Sequence, residues 1–81
     1  MGKQDKLLDK LRQCGNTFEW SDTVTLLVRL GYTQTEMAGS RVRFTHETLR
    51  MILIHKPHPQ NYIKDGALKA VKTSLIKDEI L

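Results

Sequence analysis

The spacing of apolar residues changes along the chain, and each change marks an element. In residues 3–14, Leu7, Leu8, Leu11 and Cys14 fall on one stripe at helical spacing, with Lys, Asp, Arg and Gln between them. This pattern predicts an amphipathic helix closed by Gly15-Asn16. Thr17 to Trp20 reads as a connector in which Phe18 and Trp20 pin that helix to the next. Ser21 is a suitable N-cap, and Asp22 brings negative charge to a first helical turn. From Thr23 to Leu30 the apolar set is Val24, Leu26, Leu27, Val28 and Leu30, leaving Asp22, Thr25 and Arg29 as a single polar line. A helix so apolar is expected to be the main packing helix, with Gly31 ending it.

Beyond Gly31 the period falls to two. Tyr32 to Met37 is short and rich in β-preferring residues, as an edge strand would be, and Ala38-Gly39-Ser40 supplies a turn. Val42, Phe44 and His46 then alternate with Arg41, Arg43 and Thr45, giving a strand with one apolar and one basic face. The run Leu49 to His55 is apolar on both faces and is expected to be central in the sheet. It leaves through Lys56-Pro57-His58-Pro59, where the prolines forbid further ladder hydrogen bonds. Gln60 to Lys64 reads as a polar loop. Asp65 is then placed to cap a third helix, Gly66 to about Lys77, with Leu68, Val71, Leu75 and Ile76 inward and Lys69, Lys72 and Thr73 outward. The order α-α-β-β-β-α predicts an α+β domain, a three-stranded antiparallel sheet with helices on one face. Residues 1–20 form an extra helix and connector, and residues 21–81 the domain proper.

Composition narrows the class. With 81 residues the chain suits one domain with a modest core. The net charge is +4, yet residues 39–72 carry seven Lys and Arg against two carboxylates, while the first 38 residues balance. Basicity confined to one half points to nucleic acid or another acidic partner. A single cysteine, Cys14, excludes an intramolecular disulfide and fits a reducing, cytoplasmic setting. No stretch is apolar enough for a membrane span, and no signal peptide is expected. Gly-rich phosphate loops, nucleophile elbows and patterned carboxylate pairs are absent from the sequence, so no small-molecule cofactor is expected.

Several segments together resemble one family. WSDTVTLLVRLGY, then AGSRVRF, then an apolar strand ending in HKPHP, then DGALKAVKTSL, is similar to the HicA toxins of type II bacterial toxin–antitoxin systems, over roughly Ser21 to Leu75. The resemblance implies a fold like that of double-stranded-RNA-binding domains (dsRBD-like). It also implies ribonuclease action on messenger RNA, as an mRNA interferase, and a cognate HicB antitoxin that holds the toxin inactive. Gly39 and Ser40 match the family's Gly-Ser-His motif, whose histidine is regarded as catalytic. Here that position is Arg41. A histidine there can take a proton from a 2′-hydroxyl, whereas arginine stays protonated and can only hold phosphate or offset charge. Fold and RNA binding therefore follow from the resemblance more directly than cleavage does.

Two histidines are candidates for the missing acid–base chemistry. His58, exposed between prolines, matches the family's His-Pro. His46 shares a strand face with Val42 and Phe44, where a hydrogen-bonded packing role competes. His55 reads as structural, and metal binding by the three is disfavoured because their ionisable neighbours are mostly cations. Arg41, Arg43, Lys56, Lys64, Lys69 and Lys72 are the candidate phosphate contacts, expected to converge in one groove. Tyr62 is the sole candidate for stacking on a base. Three readings stay open: a HicA-like toxin that cuts messenger RNA, a non-catalytic RNA-binding module, and a protein-interaction domain with a basic face.

Overall fold

The structure, a computed structural model, describes residues 3–81, with side chains from Lys6 onward. The first two residues of the expected N-terminal segment lie outside the described residues. The elements run α1 (Lys3–Gln13), β1 (Thr17–Glu19), α2 (Trp20–Arg29), β2 (Thr33–Glu36), β3 (Arg41–Thr45), β4 (Ile52–His55), β5 (Tyr62–Lys64) and α3 (Asp65–Lys77). This is a small α+β fold of the expected dsRBD-like kind, with three helices and a three-stranded antiparallel sheet.

The sheet has the order β2-β3-β4, and a separate ribbon pairs β1 with β5. β3 fills the middle because its inner residues Val42 and Phe44 have an apolar partner in β4, opposite Ile54 and Ile52. Those four side chains are buried and meet Leu26 and Leu27 of α2 and Leu68, Val71 and Leu75 of α3 in one core. Burial of each is worth roughly 2 kcal/mol in the apolar transfer term, so the β3–β4 hairpin and the two helices depend on one another. Trp20 at the start of α2 sits against Phe44, with ring centroids 6.2 Å apart. Leu11 of α1 is fully buried in the same core, and Leu7, Leu8 and Cys14 pack beside it.

Several expectations are corrected. The run Leu49 to His55 is not the central strand. Only Ile52–His55 is extended, at the edge of the sheet, and Met51 and Leu53 point outward at 52% and 45% exposure. Apolar residues on both faces suggested a strand covered on both sides, but nothing covers this outer face among the described residues. The connector at Thr17–Trp20 is regular, a short strand running into α2, and the loop at Gln60–Lys64 is irregular only at Gln60 and Asn61, its last three residues forming β5. Phe18 lies opposite Ile63, and both are buried. Three-residue strands are too short to show a period, and their pairing depends on a partner more than forty positions away.

Helix limits also shift. α2 begins at Trp20, with Glu19 in the N-cap position, so Ser21 lies inside the first turn rather than capping it. Thr23 is buried and donates its hydroxyl to the Glu19 carbonyl at 2.8 Å, which removes the cost of burying it. Val28 and Ile76, read as core, are half exposed. Lys64 takes the N-cap position of α3, and Asp65, at φ 48°, opens the helix without a side-chain capping bond. Among the described residues, no helix is long and apolar enough to cross a membrane.

Candidate nucleic-acid interface

The outer face of the sheet is set by register. Arg41 stands opposite His55, and Arg43 stands between Thr35 of β2 and Leu53 of β4. Directly opposed residues share a face, so Arg41, Arg43, Leu53 and His55 all project away from the core. The β2–β3 turn brings Ser40 to the same end, with Gly39 at φ 74°, a left-handed conformation that glycine adopts at little cost. There the Lys56 N–H donates to the Ser40 carbonyl at 2.6 Å, tying that turn to the exit of β4. The Ser40 hydroxyl and His55 Nδ1 are 3.5 Å apart.

A cavity of about 340 Å³ opens at this corner. Ser40, His55, Lys56, His58, Tyr62 and Lys64 line it. Five chain segments therefore supply it: the β2–β3 turn, the end of β4, the proline-bounded exit, β5 and, through Ala67, the start of α3. The β1–β5 ribbon matters here, because it fixes Lys64 as the last residue of a strand rather than a point on a loop. Arg41 flanks the cavity through its chain neighbour Ser40 and its cross-strand partner His55.

The expected single groove divides in two. Lys56 and Lys64 join Ser40 and His58, whereas Lys69 and Lys72 line a separate hollow of about 270 Å³ with Gly15, Asn16 and Asp65. Arg43 is partly buried, and its Nε has no hydrogen-bond partner. Arg50, counted in the basic half, is occupied elsewhere: its Nε meets Asp78 at 3.1 Å, and its backbone N–H donates to the same carboxylate at 3.2 Å. Among the described residues, the three ion pairs leave Arg41, Arg43, Lys56, Lys64, Lys69 and Lys72 without a carboxylate partner. Cations outside any ion pair are available to a phosphate, although Asp65 shares the hollow of Lys69 and Lys72.

His46 sits at the other end of β3, away from this corner. Its Nε2 lies 3.0 Å from the Leu30 carbonyl, and its Nδ1 accepts from the Thr48 and Leu49 N–H groups at 3.1 and 3.3 Å. Those partners require the tautomer with hydrogen on Nε2, and both ring nitrogens are engaged. Tyr32 meets the ring edge-on at 5.1 Å. The Tyr32 hydroxyl is buried close to Ser74 without a hydrogen bond of good geometry. Burial, with the nearby Asp78 carboxylate, raises its pKa above the ordinary 10.0. This end of the strand is a structural joint between α2, β3 and the β3–β4 turn.

His55 is the residue whose place in this corner the sequence reading missed. Its signal was present in the strand pattern: once the Gly39-Ser40 turn and the length of the β3–β4 turn are known, position 55 must face position 41. Among the described residues, no group of three or more His, Cys, Asp and Glu is arranged to hold a metal ion. A family model described as the HicA toxin of bacterial toxin–antitoxin systems matches residues 20–78. Neither the curated proteins nor the solved structures compared with the chain gave a match.

Proposed function

The chain belongs to the HicA toxin family of bacterial toxin–antitoxin systems, and on that premise we propose that it is a cytoplasmic ribonuclease that binds and cuts messenger RNA and is neutralised by a HicB-like antitoxin. The observation that carries this reading is the cavity where Ser40, Lys56, His58 and Lys64 meet, with Arg41 beside it. A phosphodiester there meets several cations and a histidine exposed to solvent. Positioning and charge neutralisation of that kind lower the barrier to in-line displacement at phosphorus. In this reading Arg41, Arg43, Lys56 and Lys64 hold backbone phosphates, and His58 takes part in proton transfer. In the same reading His46 takes no part in the chemistry, which its two engaged ring nitrogens support. Lys69 and Lys72 form a second phosphate-contacting surface along α3 rather than part of the same groove.

Induction of this gene alone in bacteria is the test. Growth arrest, relieved by co-expression of a HicB-like antitoxin, supports the toxin reading, and shortened transcripts in the arrested cells support cleavage. Normal growth with abundant soluble protein would falsify it. One residue favours a second reading: with Arg41 where the family carries histidine, the domain binds RNA without cutting it. That reading predicts salt-sensitive binding and intact RNA after prolonged incubation.

A further inference from the structure

Two histidines, not one, line the cavity at the Ser40 corner, and they are held differently. His55 belongs to a strand, opposite Arg41, and its Nδ1 faces the Ser40 hydroxyl at 3.5 Å. That spacing is loose, as is common in sites without substrate. Ser40 itself is fixed through its carbonyl, which accepts from the Lys56 N–H. His58 lies on the exit loop, exposed, and makes no hydrogen bond among the described residues. The cationic neighbours of both rings are Lys56 and Lys64 within the cavity and Arg41 on the adjacent strand. α3 adds Ala67, which is apolar, and β5 adds the phenol of Tyr62.

We propose that His55 is the general base and His58 the general acid of an RNA-cleaving pair, with Ser40 as the positioning residue for His55. This inference rests on the ribonuclease reading and names the groups that carry it out. With Nδ1–H donated to Ser40 Oγ, His55 presents the Nε2 lone pair to the cavity. That lone pair accepts the proton of a ribose 2′-hydroxyl as the 2′-oxygen attacks the adjacent phosphorus. The bond from phosphorus to the 5′-oxygen of the next nucleotide breaks, and protonated His58 delivers a proton to that oxygen. One P–O bond forms and one breaks. The products are a 2′,3′-cyclic phosphate and a free 5′-hydroxyl, with no water, metal or oxidant consumed. Arg41, Lys56 and Lys64 offset the charge that develops on the non-bridging oxygens. The pairing also answers the arginine at position 41: a base across the ladder reaches the phosphate that Arg41 holds. Each transfer is worth about 10²–10⁴-fold in rate.

The full-length protein, with its His55→Ala, His55→Gln, His58→Ala and Ser40→Ala variants, is incubated with a labelled oligoribonucleotide. A second substrate carries sulfur in place of the bridging 5′-oxygen at each linkage, so that the leaving group needs no proton. The pairing predicts cyclic phosphate ends and rate losses of about 10²–10⁴-fold for both His55 variants on both substrates. His58→Ala loses as much on the natural substrate but recovers most of its rate on the sulfur-bridged one. Ser40→Ala lowers kcat with little change in KM, as expected for a residue that orients the base. His55→Ala cleaving at the wild-type rate overturns this pairing and leaves the ribonuclease reading intact. Recovery of His55→Ala, rather than His58→Ala, on the sulfur-bridged substrate overturns the assignment of base and acid. Wild-type protein that binds RNA and never cleaves it overturns both the pairing and the reading beneath it. Thermal melts of all variants exclude misfolding as the cause of any loss.

Discussion

The two ends of β3 make an instructive pair. Near one end, His46 has every ring nitrogen satisfied, an aromatic neighbour and a glycine pressed against it. At the other end, His55 and Ser40 line an open cavity that Arg41 flanks, with a single loose side-chain contact between them. Residue type does not separate the two ends, since each has an imidazole within one strand pairing. What separates them is the supply of partners: backbone groups surround His46, while cationic side chains surround His55 and His58. A histidine with both nitrogens occupied by the backbone holds the fold together. One with a free nitrogen in a cationic hollow is available for proton transfer.

Replacing each histidine by alanine should break this symmetry of residue type most clearly. His46→Ala leaves the Leu30 carbonyl and two turn N–H groups without their partner, and we expect a loss of about 2–4 kcal/mol in urea unfolding. His55→Ala should change stability by no more than about 0.5 kcal/mol, because the side chain is exposed at a sheet edge. Equal losses at both sites would erase the distinction.

Gly31 sharpens it next. Its φ is 105°, and an added Cβ would lie 2.8 Å from His46 Nε2. Gly31→Ala should therefore cost about 1–3 kcal/mol, from backbone strain and from pushing the ring off the Leu30 carbonyl. The double variant with His46→Ala should cost less than the sum, since the clash disappears with the ring.

At the open end the effects are on binding. Arg41→Ala should lower the slope of log affinity against log salt by about 1, the signature of one lost phosphate contact. Lys69→Ala compared with Lys64→Ala then tells whether the α3 hollow shares the RNA path. The smallest effect belongs to Tyr32 at the closed end. Its raised pKa means that its contribution to stability is complete below pH 10 and declines as pH rises through the folded-state value. Tyr32→Phe should leave stability at pH 7 almost unchanged and remove that alkaline decline, which paired denaturant melts at neutral and high pH would reveal.

Much of this architecture was legible in residue spacing, and the failures have physical causes. Helical periods located α1, α2 and α3, and the alternation in RVRFT assigned Val42 and Phe44 to the core and Arg41 and Arg43 to the outer face. Lost to that reading were features decided by distant pairing. β1 and β5 exist because Phe18 and Ile63 bury each other, which no local pattern reveals. Met51 and Leu53 look like core residues until the strand order leaves their face uncovered. His55 ends an apolar run, which points to a structural role; the register alone sets it opposite Arg41. The basic half of the sequence likewise gave no hint that Arg50 is taken up by Asp78, or that Lys69 and Lys72 line a different hollow.

Titration of the ¹⁵N-labelled protein with an RNA made uncleavable by 2′-deoxy substitution tests most directly where the nucleic acid sits. The account predicts that amide signals of Ser40, Arg41, His55, Lys56, His58 and Lys64 move with added RNA, while those of Gly31, Thr45, His46 and Thr48 stay in place. Shifts centred on the His46 end, or on Lys69 and Lys72 with the Ser40 corner silent, would contradict it.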